Sequence, residues 1–190
     1  MCIRDRFYIG LDKPNFYKPK EVKNKNLEEF ISTELFSNKQ FNSKDIIENN
    51  NFTLINIWSS WCAPCRSEHA ILMNLSKKTD LNIIGLNYKD KKNNAIKFLD
   101  ELGNPYSKNL IDADGTISIS LGAYGVPESF LLNNKSIVIR KYIGPLTSDN
   151  ISEIIKMLCI SHSYKTMFWN KRLGNVMIIS ILSFLPSSLV

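Results

Sequence analysis

The apolar run Phe52-Thr-Leu-Ile-Asn-Ile-Trp58 is followed almost at once by Trp61-Cys62-Ala63-Pro64-Cys65-Arg66, and then by a segment with helical spacing. This strand, dithiol, helix order constrains the fold more than any other feature of the chain. A continuous apolar run of that length suits a buried parallel strand, and a helix entered directly from it begins a β–α crossover. At the start of a helix the first sulfur of a Cys-x-x-Cys pair lies beside unpaired backbone N–H groups and the positive end of the helix dipole, which favours thiolate over thiol. Cys62 is therefore the expected nucleophile. Cys65, one turn later, is placed to attack a mixed disulfide formed at Cys62 and release the reduced partner. Pro64 fits the first helical turn, where its missing N–H costs little. Trp61 is large enough to shield one side of the pair and to line a docking surface. Arg66 adds positive charge.

Two other readings of the pair remain open at this level. Cys-x-x-Cys is also a zinc-knuckle spacing, but Cys2, Cys159, His69 and His162 form no second knuckle to close a tetrahedral site, and no metal is expected. The other reading takes both cysteines as small buried hydrophobes, which strand-turn-helix placement beside a Trp disfavours. The net charge of +6 comes from 24 basic and 18 acidic residues scattered along 190 positions. No concentrated basic face with interleaved aromatics arises, so nucleic acid is not an expected partner. Hydrophobic residues make up 44% and charged residues 22%, enough for one globular core with terminal extensions. Four cysteines are too few for a disulfide scaffold and do not fix the compartment.

After a polar leader the chain alternates strand and helix. Leu27 to Phe36, a polar turn Ser37 to Gln40, and Phe41 suggest a strand or hairpin. Pro64 to Lys78 is an amphipathic helix carrying Ile71, Leu72 and Leu75 inward, with Lys77 and Lys78 in its last turn. Asn82 to Asn87 reads as a second buried strand. Lys91 to Leu102 reads as a helix with Ala95, Phe98, Leu99 and Leu102 inward, stopped by Gly103 and Pro105. Asp112-Ala-Asp-Gly115 is a turn, Ser129 to Leu132 and Ser136 to Tyr142 form a hairpin, and Asn150 to Cys159 is a closing helix. No internal repeat is present.

Four stretches together carry a specific resemblance: Asn56-Ile-Trp-Ser-Ser-Trp-Cys-Ala-Pro-Cys-Arg-Ser-Glu-His69, Gly85-Leu-Asn-Tyr-Lys-Asp90, Leu102-Gly-Asn-Pro-Tyr106, and Leu121-Gly-Ala-Tyr-Gly-Val-Pro-Glu-Ser-Phe130, followed by Gly144-Pro-Leu146. Across roughly Leu27 to Leu158 the chain resembles the thioredoxin superfamily, and within it the DsbE/CcmG group of periplasmic thiol:disulfide interchange proteins of cytochrome c maturation. The resemblance implies an α/β thioredoxin-like fold, a central mixed β-sheet flanked by helices, with an N-terminal hairpin extension. It also implies that Pro127 is a cis-proline facing the dithiol, leaving the backbone of Val126 open to an extended partner chain. The alternative is an ordinary trans proline opening a strand. Glu68 and Glu128 are by the same resemblance acidic residues near the cysteines, able to raise a thiol pKa and relay a proton. Otherwise Glu68 is a helix-surface charge and Glu128 a solvated one. Tyr124 would line the same groove or simply pack. His69 has a structural role in such proteins rather than a ligand role, and Cys159, among apolar residues at helical spacing, is expected to be a buried free thiol.

The resemblance implies a periplasmic reductant at the bacterial inner membrane. It would keep apocytochrome c or a haem-ligation thiol protein reduced, and would itself be re-reduced by a membrane thiol-disulfide transporter. It would act as a monomer, with no cofactor beyond the Cys62-Cys65 redox disulfide. A general reductase of the TlpA or ResA kind, serving targets that include copper sites, is the alternative within the same chemistry; a copper- or haem-binding module is the alternative outside it. The ends depart from the pattern. Residues 1–26 form a leader whose Met1-Cys-Ile-Arg-Asp-Arg6 start resembles a translated sequencing adapter, so the family's anchor is expected to be missing. Residues 27–160 are the thioredoxin-like domain. Residues 161–190 form a tail whose apolar run, Val176 to Leu185, falls below the roughly twenty residues needed to span a bilayer; an interfacial anchor and read-through from a neighbouring frame are the alternatives, read-through being favoured.

Overall fold

The computed structural model describes the backbone of residues 24–172 and the side chains through Ile160. Residues 1–23 of the leader, with Cys2, and the apolar run from Val176 to Leu185 lie outside the described residues. The elements, in chain order, are β1 (Ile31–Glu34), β2 (Gln40–Asn42), α1 (Ser43–Glu48), β3 (Phe52–Trp58), α2 (Ala63–Lys78), β4 (Asn82–Tyr88), α3 (Lys92–Leu102), β5 (Lys108–Asp112), α4 (Thr116–Ser120), β6 (Glu128–Asn133), β7 (Val138–Ile143) and α5 (Ser148–Arg172). The chain divides into two compact units, one ending at Thr147 and the other starting at Ser148. The first contains the whole sheet; α5 is the described part of the second.

The seven strands form one mixed sheet in the order β2-β1-β5-β4-β3-β6-β7. Strands β3, β4 and β5 are parallel, whereas β6 and β7 run antiparallel on one side and β1 and β2 on the other. Two successive right-handed crossovers stepping in one direction place α2 and α3 on the same face of the sheet. Their contacts show this, since His69 of α2 and Trp58 of β3 both meet Phe98 of α3, at ring-centroid distances of 5.1 and 5.0 Å.

Strand alternation separates two cores. Asn56 and Trp58 point toward α2 and α3, where Trp58 stacks on Tyr106 at 5.7 Å. Gly85 passes beneath this cluster, and a Cβ there would lie 2.8 Å from both Trp58 Nε1 and the Tyr106 ring. Ile55, Ile57, Ile84, Leu86, Leu110, Phe130 and Leu132 point the other way and pack with Ile47, Leu121 and Val138.

The hairpin, both crossover helices and the 128–143 hairpin follow the sequence expectation. In α3 Ala95, Phe98 and Leu99 are buried while Leu102 is half-buried, and in α2 Ile71 is half-buried beside buried Leu72 and Leu75. Gly103 closes α3 at φ +88°, its N–H donating to Leu99 O. Three elements were not expected. Asn42 caps α1 by accepting from Lys44 N at 2.9 Å, and α4 starts where Asp112 accepts from Ile117 N, Ser118 N and the Ser118 hydroxyl. Strand β5 carries Asn109 and Asp112, which hide its apolar signal. The closing helix is longer than Asn150 to Cys159, because neither Gly nor Pro interrupts the sequence up to Arg172. Cys159 is exposed, contrary to expectation. It lies five residues, about 140°, around the helix from buried Ile154. Among the described residues no helix is long and apolar enough to cross a membrane.

Candidate active site

Strand β3 ends at Trp58, and α2 begins four residues later with Cys62 as its N-cap, in extended conformation. The Cys62 sulfur accepts a hydrogen bond from Cys65 N at 3.1 Å, taking the position that a Ser or Asp oxygen fills at other helix starts. Pro64 stands in the first turn, which holds no acidic residue to offset the helix dipole. Cys62 and Cys65 are joined in a disulfide with their Cα atoms 5.3 Å apart. Both are buried, at 4% and 2% exposure, while Trp61 beside them is 58% exposed.

The loop before the dithiol is stitched to the loop after β4. Asp90 accepts from Ser60 N at 2.6 Å and from the Ser60 hydroxyl at 2.8 Å, and also from Asn87 Nδ2 and Lys91 N. The Ser59 hydroxyl donates to Tyr88 O, and Trp61 Nε1 donates to Lys89 O at 3.1 Å. The Trp61 ring is thus exposed but tethered. Arg66 turns away from the sulfurs to lie over Phe98 at 4.9 Å and pair with Glu101 at 3.5 Å.

Glu68 stands one turn beyond Cys65 on the buried stripe of α2 that also carries His69, Leu72 and Leu75. It is not a helix-surface charge. Oε1 accepts from Asn56 Nδ2 at 3.0 Å and Oε2 from Leu146 N at 2.7 Å. Asn56 also donates to the Ser129 hydroxyl and accepts from the Tyr106 phenol at 2.8 Å. Burial pushes the Glu68 pKa up, and its two hydrogen bonds only partly oppose this. Burial and the Glu68 charge together hold the Tyr106 phenol well above its ordinary value. His69 is buried, donates or accepts at Gly103 O over 2.9 Å, and has its pKa lowered chiefly by burial. Among the described residues no group of three His, Cys, Asp or Glu could hold a metal ion.

The Val126–Pro127 peptide bond is cis, as the resemblance implies. Strand β6 starts at the next residue, with Glu128 opposite Ile57 of β3. Pro127 therefore lies at the sheet end where β3 delivers the dithiol. Val126 precedes the ladder, and Tyr124 is 48% exposed. Glu128 is 2% exposed. It is neither solvated nor on the Glu68 side, because alternation along β6 places it on the opposite face from Ser129, the residue that reaches Asn56. Its Oε1 accepts from Tyr124 N at 2.8 Å and Gly125 N at 3.1 Å, and its Oε2 meets Lys141 Nζ at 2.8 Å. Glu128 thus holds the cis-proline loop.

The sequence missed Asp90, Asn56, Tyr106 and Lys141. Asn56 alone carried a usable signal, since an amide in the middle of a buried strand needs partners on both of its ends.

A dithiol at a helix N-terminus facing a cis-proline on a mixed sheet defines a class, the thioredoxin-like proteins whose chemistry is thiol–disulfide exchange. The chain matches the Redoxin family model over residues 23–158, and it belongs to that family and, within it, to the DsbE/CcmG group. It is 46% identical over 101 residues to the thiol:disulfide interchange protein CycY of Rhizobium leguminosarum bv. viciae, covering 53% of this chain and 54% of that one. It is 40% identical to the thiol:disulfide interchange protein DsbE of Escherichia coli K12, over 65% of this chain and 66% of the relative. DsbE of Allochromatium vinosum is 34% identical over 78% of this chain and 82% of its own. The matches thus span about half to two thirds of the first two relatives. A DsbF homologue from Corynebacterium diphtheriae shares the fold, with a TM-score of 0.62 at 22% identity over 76% of this chain and 96% of that one.

Proposed function

We propose that the protein is a thiol–disulfide oxidoreductase acting as a reductant in the periplasm, at the bacterial inner membrane, toward apocytochrome c or a haem-ligation thiol protein. The observation that carries this is the Cys62–Cys65 disulfide at the N-cap of α2, at the same sheet end as cis-Pro127. Kinship with interchange proteins supports it. In the reduced protein the Cys62 thiolate attacks one sulfur of the target disulfide. That S–S bond breaks, a mixed disulfide forms, and the target's other sulfur leaves as a thiolate that takes up a proton. Cys65 then attacks the Cys62 sulfur, the second target thiol departs, and two electrons have passed to the target as the Cys62–Cys65 bond forms. Glu68, buried one turn from Cys65 with its proton affinity raised, serves as the proton store that lets Cys65 ionise. Val126 and cis-Pro127 present main chain to an extended partner, with the exposed Trp61 and Tyr124 as further contact surface. No cofactor beyond the dithiol takes part; a membrane thiol-disulfide transporter restores the reduced state, and the protein works as a monomer.

The test is the Cys62–Cys65 reduction potential of the chain with Cys2 and Cys159 replaced by Ser, measured by equilibration in thiol–disulfide buffers and alkylation. A value at or below about −200 mV supports a reductant, one near about −120 mV marks an oxidant and sinks that role, and no reversible couple sinks the exchange chemistry itself.

A further inference from the structure

Lys141 is a charged residue that the exchange chemistry leaves unused, and its side chain is buried. Its side chain is 8% exposed, on the face of the sheet shared with Phe130, its partner across the β6–β7 ladder. Three groups of the cis-proline loop converge on its ammonium: Gly122 O accepts at 2.7 Å, Glu128 Oε2 pairs at 2.8 Å, and the Tyr124 ring lies 4.2 Å away. Glu128 in turn holds Tyr124 N and Gly125 N. One cation thus ties both ends of the segment from Gly122 to Glu128 and one face of Tyr124, a residue that is 48% exposed.

A buried ammonium needs such partners, because leaving either charge of a desolvated pair alone is strongly unfavourable. The Glu128 carboxylate alone would satisfy that need. The Gly122 carbonyl and the Tyr124 face are additional, and both belong to the loop that presents Val126 and Pro127. We propose that Lys141 is a positioning residue for partner binding, fixing the cis-proline loop and the Tyr124 ring so that an extended cysteine-containing segment meets a preformed edge. The inference rests on the exchange function proposed above. It predicts that Lys141 governs the affinity for a polypeptide disulfide more than the chemistry at sulfur, because preorganising a loop lowers the ordering cost of binding.

The test is steady-state reduction of a disulfide-bonded peptide carrying a Cys-x-x-Cys-His haem-attachment segment, the target class proposed above, with dithiothreitol as electron source, by the full chain. Lys141→Met is expected to raise KM about tenfold with kcat changed much less, about one decade of affinity being a modest share of what a buried pair can cost. Lys141→Arg keeps the charge, the donors and the aromatic contact, and is expected to bring KM back toward wild type. The double variant Lys141→Met with Glu128→Gln removes both buried charges, so it recovers the unfolding midpoint that the single variant loses. It is expected to keep the raised KM, because the Gly122 and Tyr124 contacts are still missing. If the double variant recovers stability and KM together, or if Lys141→Met leaves KM as in wild type, Lys141 is merely structural and the inference is overturned. A wild-type chain that shows no reversible Cys62–Cys65 couple and reduces no such peptide overturns the exchange function, and this inference with it.

Discussion

Glu68 is 2% exposed, has no cationic partner among its hydrogen bonds, and still sits one turn from a redox cysteine. Desolvation dominates, so its folded pKa stands above the ordinary 4.5. The native state then holds a proton that the unfolded chain has already released. Its contribution to stability is complete below pH 4.5 and is lost as pH rises through the folded pKa. His69, lowered from 6.5, has the opposite slope, contributing stability above that value and losing it as pH falls through the folded pKa. The difference between wild type and Glu68→Gln isolates the carboxylate. In the oxidised protein, where neither active-site sulfur titrates, urea midpoints from pH 4.5 to about pH 8 are expected to fall more steeply for wild type than for Glu68→Gln. Parallel curves would show that Glu68 ionises in the fold as it does in the unfolded chain. Near neutral pH the two proteins are expected to differ by only about 1 kcal/mol, since Gln loses one acceptor but buries no charge.

At the scale of elements, the dithiol loop is held by the turn after β4 rather than by its own helix. Four hydrogen bonds converge on the Asp90 carboxylate, two of them from Ser60. Asp90→Ala leaves Ser60 N and Asn87 Nδ2 without that acceptor. A loss of about 1–3 kcal/mol is expected, measured as a lower urea midpoint with unchanged slope. An unchanged midpoint would mean that water replaces the carboxylate at no cost, and that the loop is not clamped. The turn's sequence, Asn87-Tyr-Lys-Asp90, belongs to the resemblance, but its bonds to Ser59, Ser60 and Trp61 join residues about 30 positions apart and no local rule reveals them. Elements with uninterrupted periodicity were legible for the converse reason. Phe52 to Trp58 reads as a strand and Cys65, Leu72 and Leu75 as a helix face because burial follows a fixed local period. Strand β5 was hidden because Asn109 and Asp112 are buried polar residues, and α1 and α4 because each is set by a cap rather than by a stripe. The cysteines and Pro127 lay where expected. The burial of Glu68 was legible in principle, since it shares the stripe of Cys65 and Leu72. The position of Glu128 on the opposite face needed the β3–β6 register.

Across the whole molecule, the sheet separates two influences on the same dithiol. From the α2 side, the helix N-terminus stabilises the Cys62 thiolate and so favours the reduced protein, while the buried Glu68 carboxylate disfavours a nearby thiolate and so favours the disulfide. From the other side, Glu128 and Lys141 neutralise each other and leave little net charge to reach the sulfurs. The balance is linked to folding, because the reduction potential and the stabilities of the oxidised and reduced folds close one thermodynamic cycle. A dithiol whose reduced fold is the more stable is an oxidant, and one whose disulfide stabilises the fold is a reductant. Each 30 mV by which folding lowers the potential corresponds to about 1.4 kcal/mol of extra stability in the oxidised form. A reductant is therefore expected to unfold at higher urea as the disulfide than as the dithiol, in paired titrations with and without dithiothreitol at one pH. If the dithiol form is the more resistant, the helix dipole outweighs Glu68 and the protein is poised to oxidise its partners. Repeating the pair in Glu68→Gln separates the two influences, since removing the carboxylate should narrow the gap by stabilising the reduced form relative to the oxidised one.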